Sequence, residues 1–342
     1  RRDAKFGTRV TSAAFDKETN LWTLETDQGD VATAPYCIMA TGSLSTPYKP
    51  PYPGIDDFAG DWYHTGTWPH EEVSFAGKRV GIIGTGSTGI QAIPVVAEEG
   101  NHLTVFQRTA QYTTPARNRP MSPDEQREFN EHRDEWIREM YHTFNAMTGY
   151  PLPTKSIHDD SPEERRDFFE KRWEIGGMPQ AMLATYKGVN VDMETNTVVA
   201  DFVRDKIREI VKDPEVAERL CPPTDMPIGS KRPPIDTDYY ETFNRDNVSL
   251  VDIKKTPIER FTEKGIKTAD AEYELDAIIF ATGFDAMTGS LLAIDIQTSD
   301  GSSLKQAWSD GPNSFLGLMV AGLPNLFTIN GPGCPSVKAN MI

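Results

Sequence analysis

Gly84-Thr85-Gly86-Ser87-Thr88-Gly89 has the spacing GxGxxG, and the chemistry of that spacing is the holding of a pyrophosphate. The first glycine permits a tight turn, the second lets a phosphate approach the backbone, and the third lets a helix pack closely on a strand. Free N–H groups and the positive dipole end at the helix start then favour an anion. Glycine spacing alone says little, but here it follows the apolar run Arg79 to Ile83 and precedes a helical pattern from Ile90 to Glu99. A second apolar run, His102 to Phe106, completes a βαβ unit. The end of that second strand selects the nucleotide. A carboxylate there would bind a ribose 2′-hydroxyl, whereas this sequence has Phe106-Gln107-Arg108-Thr109. An arginine can hold a 2′-phosphate through two N–H groups at once, so NADP is expected in preference to NAD.

The elements that must position these residues are readable on either side. Arg9 to Phe15 and Leu21 to Thr26 alternate well enough for a hairpin with its turn at Asp16 to Asn20, and a third run, Tyr36 to Ala40, ends in Thr41-Gly42. A Pro- and Gly-rich passage from Pro47 to Gly54 reads as a connection between domains. Residues 122 to 220 read as mostly helical. Ser161-Pro162-Glu163-Glu164 supplies an N-cap, a proline at the first helical position and acids in the first turn, and Asp213-Pro214-Glu215 starts a further helix in the same way. Val199, Phe202, Val203, Ile207, Ile210 and Val211 recur at helical spacing as a core face between Thr197 and Lys212. Strands are expected again at Val248 to Ile253, Ile258 to Phe261, Leu275 to Ala281 (ending in Thr282-Gly283) and Leu323 to Ile329. Helices inserted in an α/β domain, flanked by pieces of a β-rich domain, fit this order.

Composition excludes several classes. The 342 residues carry a net charge of −16 with no basic stripe, which argues against a nucleic-acid surface. No apolar run is long enough to span a bilayer, and no secretory segment opens the chain. Cys37, Cys221 and Cys334 are too few and too scattered for a disulfide framework or a CxxC site, and six histidines show no HExxH spacing, so no metal is expected. A reducing cytoplasm suits this usage.

Phe58-Ala59-Gly60-Asp61-Trp62-Tyr63-His64-Thr65-Gly66-Thr67-Trp68-Pro69 fits FxGxxxHxxxWP. It resembles the fingerprint of flavin-dependent Baeyer–Villiger monooxygenases and stands, as in that family, just before the second dinucleotide motif. Lys231-Arg232-Pro233-Pro234, with Asp236, Tyr239-Tyr240-Glu241 and Asn244-Arg245-Asp246-Asn247, resembles the family segment carrying its essential arginine. The two strands ending in Ala-Thr-Gly, at Thr41-Gly42 and Thr282-Gly283, resemble the crossovers between flavin and nicotinamide domains. The resemblance implies an α/β flavoprotein with two dinucleotide-binding domains: a Rossmann-like NADP domain with a helical insertion, and part of an FAD domain. It places residues 1–47 in the FAD domain, 48–76 in a linker bearing the fingerprint (Phe58, Gly60, His64, Trp68), 77–283 in the NADP domain and 284–342 in an incomplete return to the FAD domain. In the family a first glycine motif and an acidic partner of the arginine come earlier, and members continue past the position of Ile342, so this chain is expected to be the centre of a longer sequence.

By the same resemblance, Lys231 joins Arg108 on the 2′-phosphate. Gln91, Thr109 and Met341 join the Gly84–Gly89 turn and the two Thr-Gly pairs as cofactor-binding residues. Asn330-Gly331-Pro332-Gly333 and the residues through Ser336 lead back to the flavin, with Val337-Lys338 near the substrate. Arg232 is the catalytic residue: a guanidinium stays cationic at any working pH and suits negative charge developing on oxygen beside a flavin. The implied reaction inserts one oxygen of O2 next to a ketone carbonyl, giving an ester or lactone, with FAD and NADPH as cofactors. A flavin monooxygenase acting on N or S atoms, and an NADP-binding module without turnover, are the alternatives.

Overall fold

The computed structural model describes residues 4–143, 152–178 and 180–334. The described chain divides into two compact units: one from the start to Tyr48 together with Gly283 onward, the other Lys49–Thr282. The segment read as a connection therefore lies, from Lys49 on, within the second unit.

In the first unit, β1 (Val10–Asp16) and β2 (Leu21–Thr26) form the expected antiparallel hairpin. Its turn is held by the Asp16 carboxylate, which accepts from the Glu18 N–H and the Thr19 hydroxyl. A further strand, β3 (Val31–Ala34), pairs with β2, and β4 (Cys37–Met39) leads to Thr41-Gly42. Trp22 is fully buried in this unit's core, and its indole N–H donates to the Pro324 carbonyl.

The second unit is built on five parallel strands. In chain order its elements begin with β5 (Asp61–His64), β6 (Arg79–Ile83), α1 (Ser87–Glu99), β7 (His102–Gln107) and β8 (Thr114–Pro115). The helical insertion follows as α2 (Pro123–Met140), α3 (Pro162–Ile175), α4 (Gln180–Leu183), α5 (Met193–Ile210) and α6 (Pro214–Leu220). The unit closes with β9 (Ile235–Asp236), α7 (Tyr239–Thr242), β10 (Val248–Asp252), β11 (Ile258–Thr262), β12 (Gly265–Thr268), β13 (Glu272–Glu274) and β14 (Ala277–Phe280). The chain then returns to the first unit through α8 (Gly289–Leu292), β15 (Asp295–Gln297), α9 (Leu304–Ala307) and β16 (Leu326–Thr328). There β15 pairs with β1, and β16 with β4, both in parallel.

The main sheet has the order β10-β7-β6-β14-β5. Its central strands β6, β7 and β14 are mostly apolar and buried because both faces are covered, whereas the edge strand β5 is polar and largely exposed. Val80, Ile82, Leu103, Val105, Ala277 and Ile279 face a cluster that includes Ile90 and Ile93 of α1 and Val199, Val203 and Ile207 of α5. The alternate residues Ile83, Phe106, Ile278 and Phe280 face a second cluster with Phe261 and Ile266 of the antiparallel sheet β11-β12-β13. The two-residue side-chain period of a strand thus serves both cores.

The helix starts follow the sequence signals. Ser122 and Ser161 form capping boxes with Glu125 and Glu164, Asp192 caps α5, and Asp213 caps α6. The fingerprint segment, expected in a linker, is instead built into the sheet: β5 is its edge strand, paired with β14. Phe280 sits beneath it, fully buried, its ring 5.8 Å from Trp62 and 5.7 Å from Phe261. Phe280→Ala should cost about 3–5 kcal/mol of unfolding free energy through lost burial and a cavity, measured by urea unfolding.

Candidate functional site

The parallel ladder sets His64, Phe280, Ile83, Phe106 and Val251 in one row across the sheet. Each strand therefore ends at nearly the same level, and the expected site residues lie at or just beyond that edge: His64 closing β5, Thr282 after β14, Gly84 after β6, Arg108 and Thr109 after β7. In open α/β sheets, ligands bind outside the carboxyl ends of the strands where the strand order reverses. Here that point lies between β6 and β14, since β7 follows β6 on one side and β14 flanks it on the other.

The glycine turn has the geometry its residues suggest. Gly84 has φ +110°, and a Cβ on it would stand 2.5 Å from the Ala281 carbonyl oxygen. A Cβ on Gly89 would run into the carbonyl of Gly84, whereas one on Gly86 would meet nothing within 4 Å. Two glycines serve packing, and the third faces open space that a pyrophosphate could enter. Helix α1 starts three residues before the expected Ile90, with Gly86 as N-cap, no side-chain cap and no acid in its first turn. The other long helices begin with a side-chain cap and an acid. The start of α1 is left with bare N–H donors and an unopposed dipole. Thr85 donates from its hydroxyl to the Thr109 carbonyl at 3.1 Å, tying the turn to the end of β7. The Gln91 side chain donates to the Ser87 carbonyl within the same helix.

Arg108 is exposed and makes no ion pair among the described residues. It lines a cavity of about 820 Å³ with Gln107, Thr109, Arg219, Cys221, Lys254 and Lys255 among others. Lys231, expected beside Arg108, is not part of that lining. Lys231 and Arg232 are exposed on a loop pinned just beyond them, where β8 pairs in parallel with β9 and the Thr114 N–H donates to the Pro234 carbonyl. Asp236 anchors the far side: its buried carboxylate accepts from the Thr113 hydroxyl and from the Tyr239 N–H. Burial pushes its pKa up to about 6, against the lowering effect of those two hydrogen bonds.

His64 is buried. Its Nδ1 accepts from the Gly66 N–H at 2.9 Å, leaving Nε2 to carry the proton toward the Thr282 hydroxyl at 3.3 Å. The fingerprint histidine thus ties β5 to the Ala-Thr-Gly end of β14. Trp68 packs on Tyr63 with ring centroids 5.4 Å apart, and Phe58 is buried in the core under the sheet. A Cβ on Gly60 would stand 2.5 Å from the Asp276 carbonyl oxygen. All four fingerprint residues make packing or hydrogen-bond contacts within this unit.

In the first unit, the Ser290 hydroxyl donates to the Gly42 carbonyl at 2.6 Å and lies 3.2 Å from the Thr41 hydroxyl. Gly42 and Gly283 both have positive φ, and neither would bring a Cβ within 4 Å of another atom. The backbone at both could approach a flat cofactor. Met341, with Ser336 and Val337-Lys338, lies outside the described residues. Sequence reasoning gave no role to Gln107, Lys254, Lys255 or Asp236. The lysines follow β10, whose pairing with β7 places them at the same edge of the sheet and had no signal in the sequence.

These features define a two-dinucleotide-binding α/β fold. A family profile described as pyridine nucleotide-disulphide oxidoreductase matches residues 4–172. The chain is 44% identical over all its length to a 2-oxo-Δ3-4,5,5-trimethylcyclopentenylacetyl-CoA monooxygenase of Pseudomonas putida, covering 63% of that protein. It is 42% identical over 98% of its length to a cyclohexanone 1,2-monooxygenase of an Acinetobacter species, covering 61% of it. A phenazine N-monooxygenase of Lysobacter antibioticus is also 42% identical, over 97% of this chain and 60% of its own. The crystal structure of OTEMO in complex with FAD and NADP superposes with a TM-score of 0.90 at 45% identity, over 97% of this chain and 62% of that one. Along nearly all of its length the chain is similar to Baeyer–Villiger monooxygenases. It spans about three-fifths of the length of these curated relatives.

Two outcomes follow. Gly86→Ala should leave unfolding free energy within about 0.5 kcal/mol of wild type yet weaken NADP⁺ binding, whereas Gly89→Ala should destabilise by about 2 kcal/mol or more, as calorimetry and thermal melts would register. The raised Asp236 pKa adds stability that is complete below its ordinary value of 3.8 and is lost as pH rises through about 6. Relative to Asp236→Asn, wild type should therefore lose on the order of 2 kcal/mol between about pH 4 and pH 7 in urea unfolding measured across pH.

Proposed function

We propose that this chain is the NADP-binding part of an NADPH- and FAD-dependent enzyme that inserts one oxygen atom of O2 beside a ketone carbonyl, giving an ester or lactone. The observation that carries the reading is the 42–44% identity to monooxygenases named for ring ketones or oxo-acyl substrates, across nearly the whole chain. The intact fingerprint, bound through His64 to the nucleotide sheet, supports it.

The residues fit NADP. The uncapped start of α1 and the open face of Gly86 would take the pyrophosphate. Arg108, with Lys231 as a second cation from the family resemblance, would take the 2′-phosphate. Gln91, Thr109, Thr282 and Gly283 would line the rest of the nicotinamide nucleotide, and Thr41 and Gly42 would approach FAD. Met341 is assigned to cofactor binding on the resemblance alone.

Bound FAD would supply oxygen activation, with NADPH as the source of hydride. The chain's own part is to bind, orient and stabilise charge. Arg232 would offer a permanent positive charge to the carbonyl oxygen of a bound ketone as that oxygen gains negative charge. The β8–β9 pairing and the Asp236 anchor fix where the Arg232 loop begins its reach. Cys37 and Cys221 are thiols outside any disulfide, in keeping with a cytoplasmic setting.

The test is NADPH oxidation by the full-length gene product loaded with FAD, with and without cyclic and linear ketones, and with products weighed by mass spectrometry. Ketone-dependent oxidation with gain of one oxygen, lost by at least about 100-fold in Arg232→Ala, is the expected result. Oxygen delivered only to nitrogen or sulfur atoms would assign the chain to the chemistry of its phenazine-oxidising relative instead.

A further inference from the structure

The loop that carries Lys231 and Arg232 is gripped on its upstream side by a side chain to which nothing above assigns a role. Asn196 lies near the start of α5 and is only 4% exposed. Its amide is fully engaged with backbone. Oδ1 accepts from the Ile228 N–H at 3.0 Å, while Nδ2 donates to the Ile228 carbonyl at 2.9 Å and to the Val189 carbonyl at 2.7 Å. A side-chain amide offers the same donor and acceptor as a peptide group. Asn196 therefore holds Ile228 by both of its backbone groups, as a residue on a paired antiparallel strand would.

The helix itself has no need of a polar group at this position. The residues that α5 turns toward the core further along, Val199, Val203 and Ile207, are apolar. A leucine at 196 would bury more apolar surface, but it would leave the N–H and carbonyl of buried Ile228 without these partners. What the asparagine serves is the loop. Arg204, 3% exposed on the same helix, holds the loop further back by donating to the Pro222 and Pro223 carbonyls at 3.0 and 3.2 Å.

Between Ile228 and Arg232 the chain keeps little freedom. Gly229 has φ +90°, and a Cβ on it would stand 3.1 Å from the Leu183 side chain. Ser230 closes a turn, donating to the Pro227 carbonyl from its N–H at 3.1 Å and from its hydroxyl at 2.7 Å. Beyond Arg232, Pro233 and Pro234 are buried, and the pairing of β9 with β8 begins at once. A proline also confines the residue before it to extended backbone, so Pro233 restricts Arg232 directly. The exposed pair Lys231-Arg232 is thus suspended between two fixed points, Ile228 and Pro234.

We propose that Asn196 is a positioning residue for Arg232: by clamping Ile228 to α5 it fixes where the guanidinium can stand. This rests on the reading of Arg232 as the charge offered to the ketone oxygen, and it gives the helical insertion a part in that step. Charge stabilises a transition state fully only when it is already in place, and a cation that must be gathered from many positions loses part of its effect.

The test compares Asn196→Ala and Asn196→Asp with Val203→Ala in the full-length gene product. Asn196→Asp is close in size and keeps an acceptor for the Ile228 N–H, but it turns a second oxygen toward two carbonyls. Val203→Ala opens a cavity on the apolar face of the same helix and reports lost stability alone. In hydrogen–deuterium exchange, the amides from Ile228 to Arg232 are expected to exchange about tenfold faster or more in both Asn196 variants, with β6 and β7 unchanged. With FAD loaded, kcat for ketone-dependent NADPH oxidation should fall by about tenfold or more while KM for the ketone stays within about twofold. Val203→Ala should keep both the exchange of this segment and kcat near wild type. Wild-type exchange and kcat in the Asn196 variants, or an equal loss of kcat in Val203→Ala, would overturn the proposal. Full activity in Arg232→Ala would instead remove the catalytic reading beneath it, an outcome distinct from Asn196 variants that behave as wild type while Arg232→Ala is inactive.

Discussion

The structure depends on one constraint, the parallel register of five strands that brings their carboxyl ends to a common level. Because β5, β14, β6, β7 and β10 are aligned through the row His64, Phe280, Ile83, Phe106 and Val251, residues far apart in sequence emerge side by side. The register is held by burial on both faces. A slip of one residue would exchange Ile83, Phe106 and Phe280 with Ile82, Val105 and Ile279, and so swap the side chains of two differently shaped cores. The apolar residues that carry no chemistry thereby fix the positions of those that do.

Close backbone approach adds the second level of order. Gly84 lies against the Ala281 carbonyl and Gly89 against the Gly84 carbonyl, so β6, α1 and β14 meet where no side chain fits. The free N–H groups at the start of α1 then face the same edge. His64 closes the arrangement from β5 by bonding to Gly66 on one ring nitrogen and Thr282 on the other. The fingerprint is in this sense part of the nucleotide sheet, and its histidine has a holding role.

What the sequence made legible follows from the range of the interactions involved. The β6–α1–β7 unit was readable because an apolar run, a glycine spacing and a helical period occur within thirty or so residues. The helix caps at Ser161 and Asp213 were readable for the same reason. The pairing of β5 with β14 joins residues more than two hundred positions apart and leaves no local trace in the sequence. Strands β3 and β13 are short and largely exposed, with no apolar period to reveal them. Within the site, the glycines and Arg108 carried motifs of their own. Lys254 and Lys255 resemble any surface pair until β10 is known to lie beside β7, and Asp236 resembles a loop carboxylate until its burial is seen.

The central claim is that a dinucleotide lies across the start of α1 at the level edge of this sheet. Hydrogen–deuterium exchange of the chain with and without NADP⁺ tests it most directly. The account predicts slowed exchange at the amides of Thr85 to Ile90 and at Arg108 and Thr109, with the helices of the insertion, α2 and α3, unchanged. Protection confined to other segments, with the Gly84–Gly89 turn exchanging as before, would contradict it.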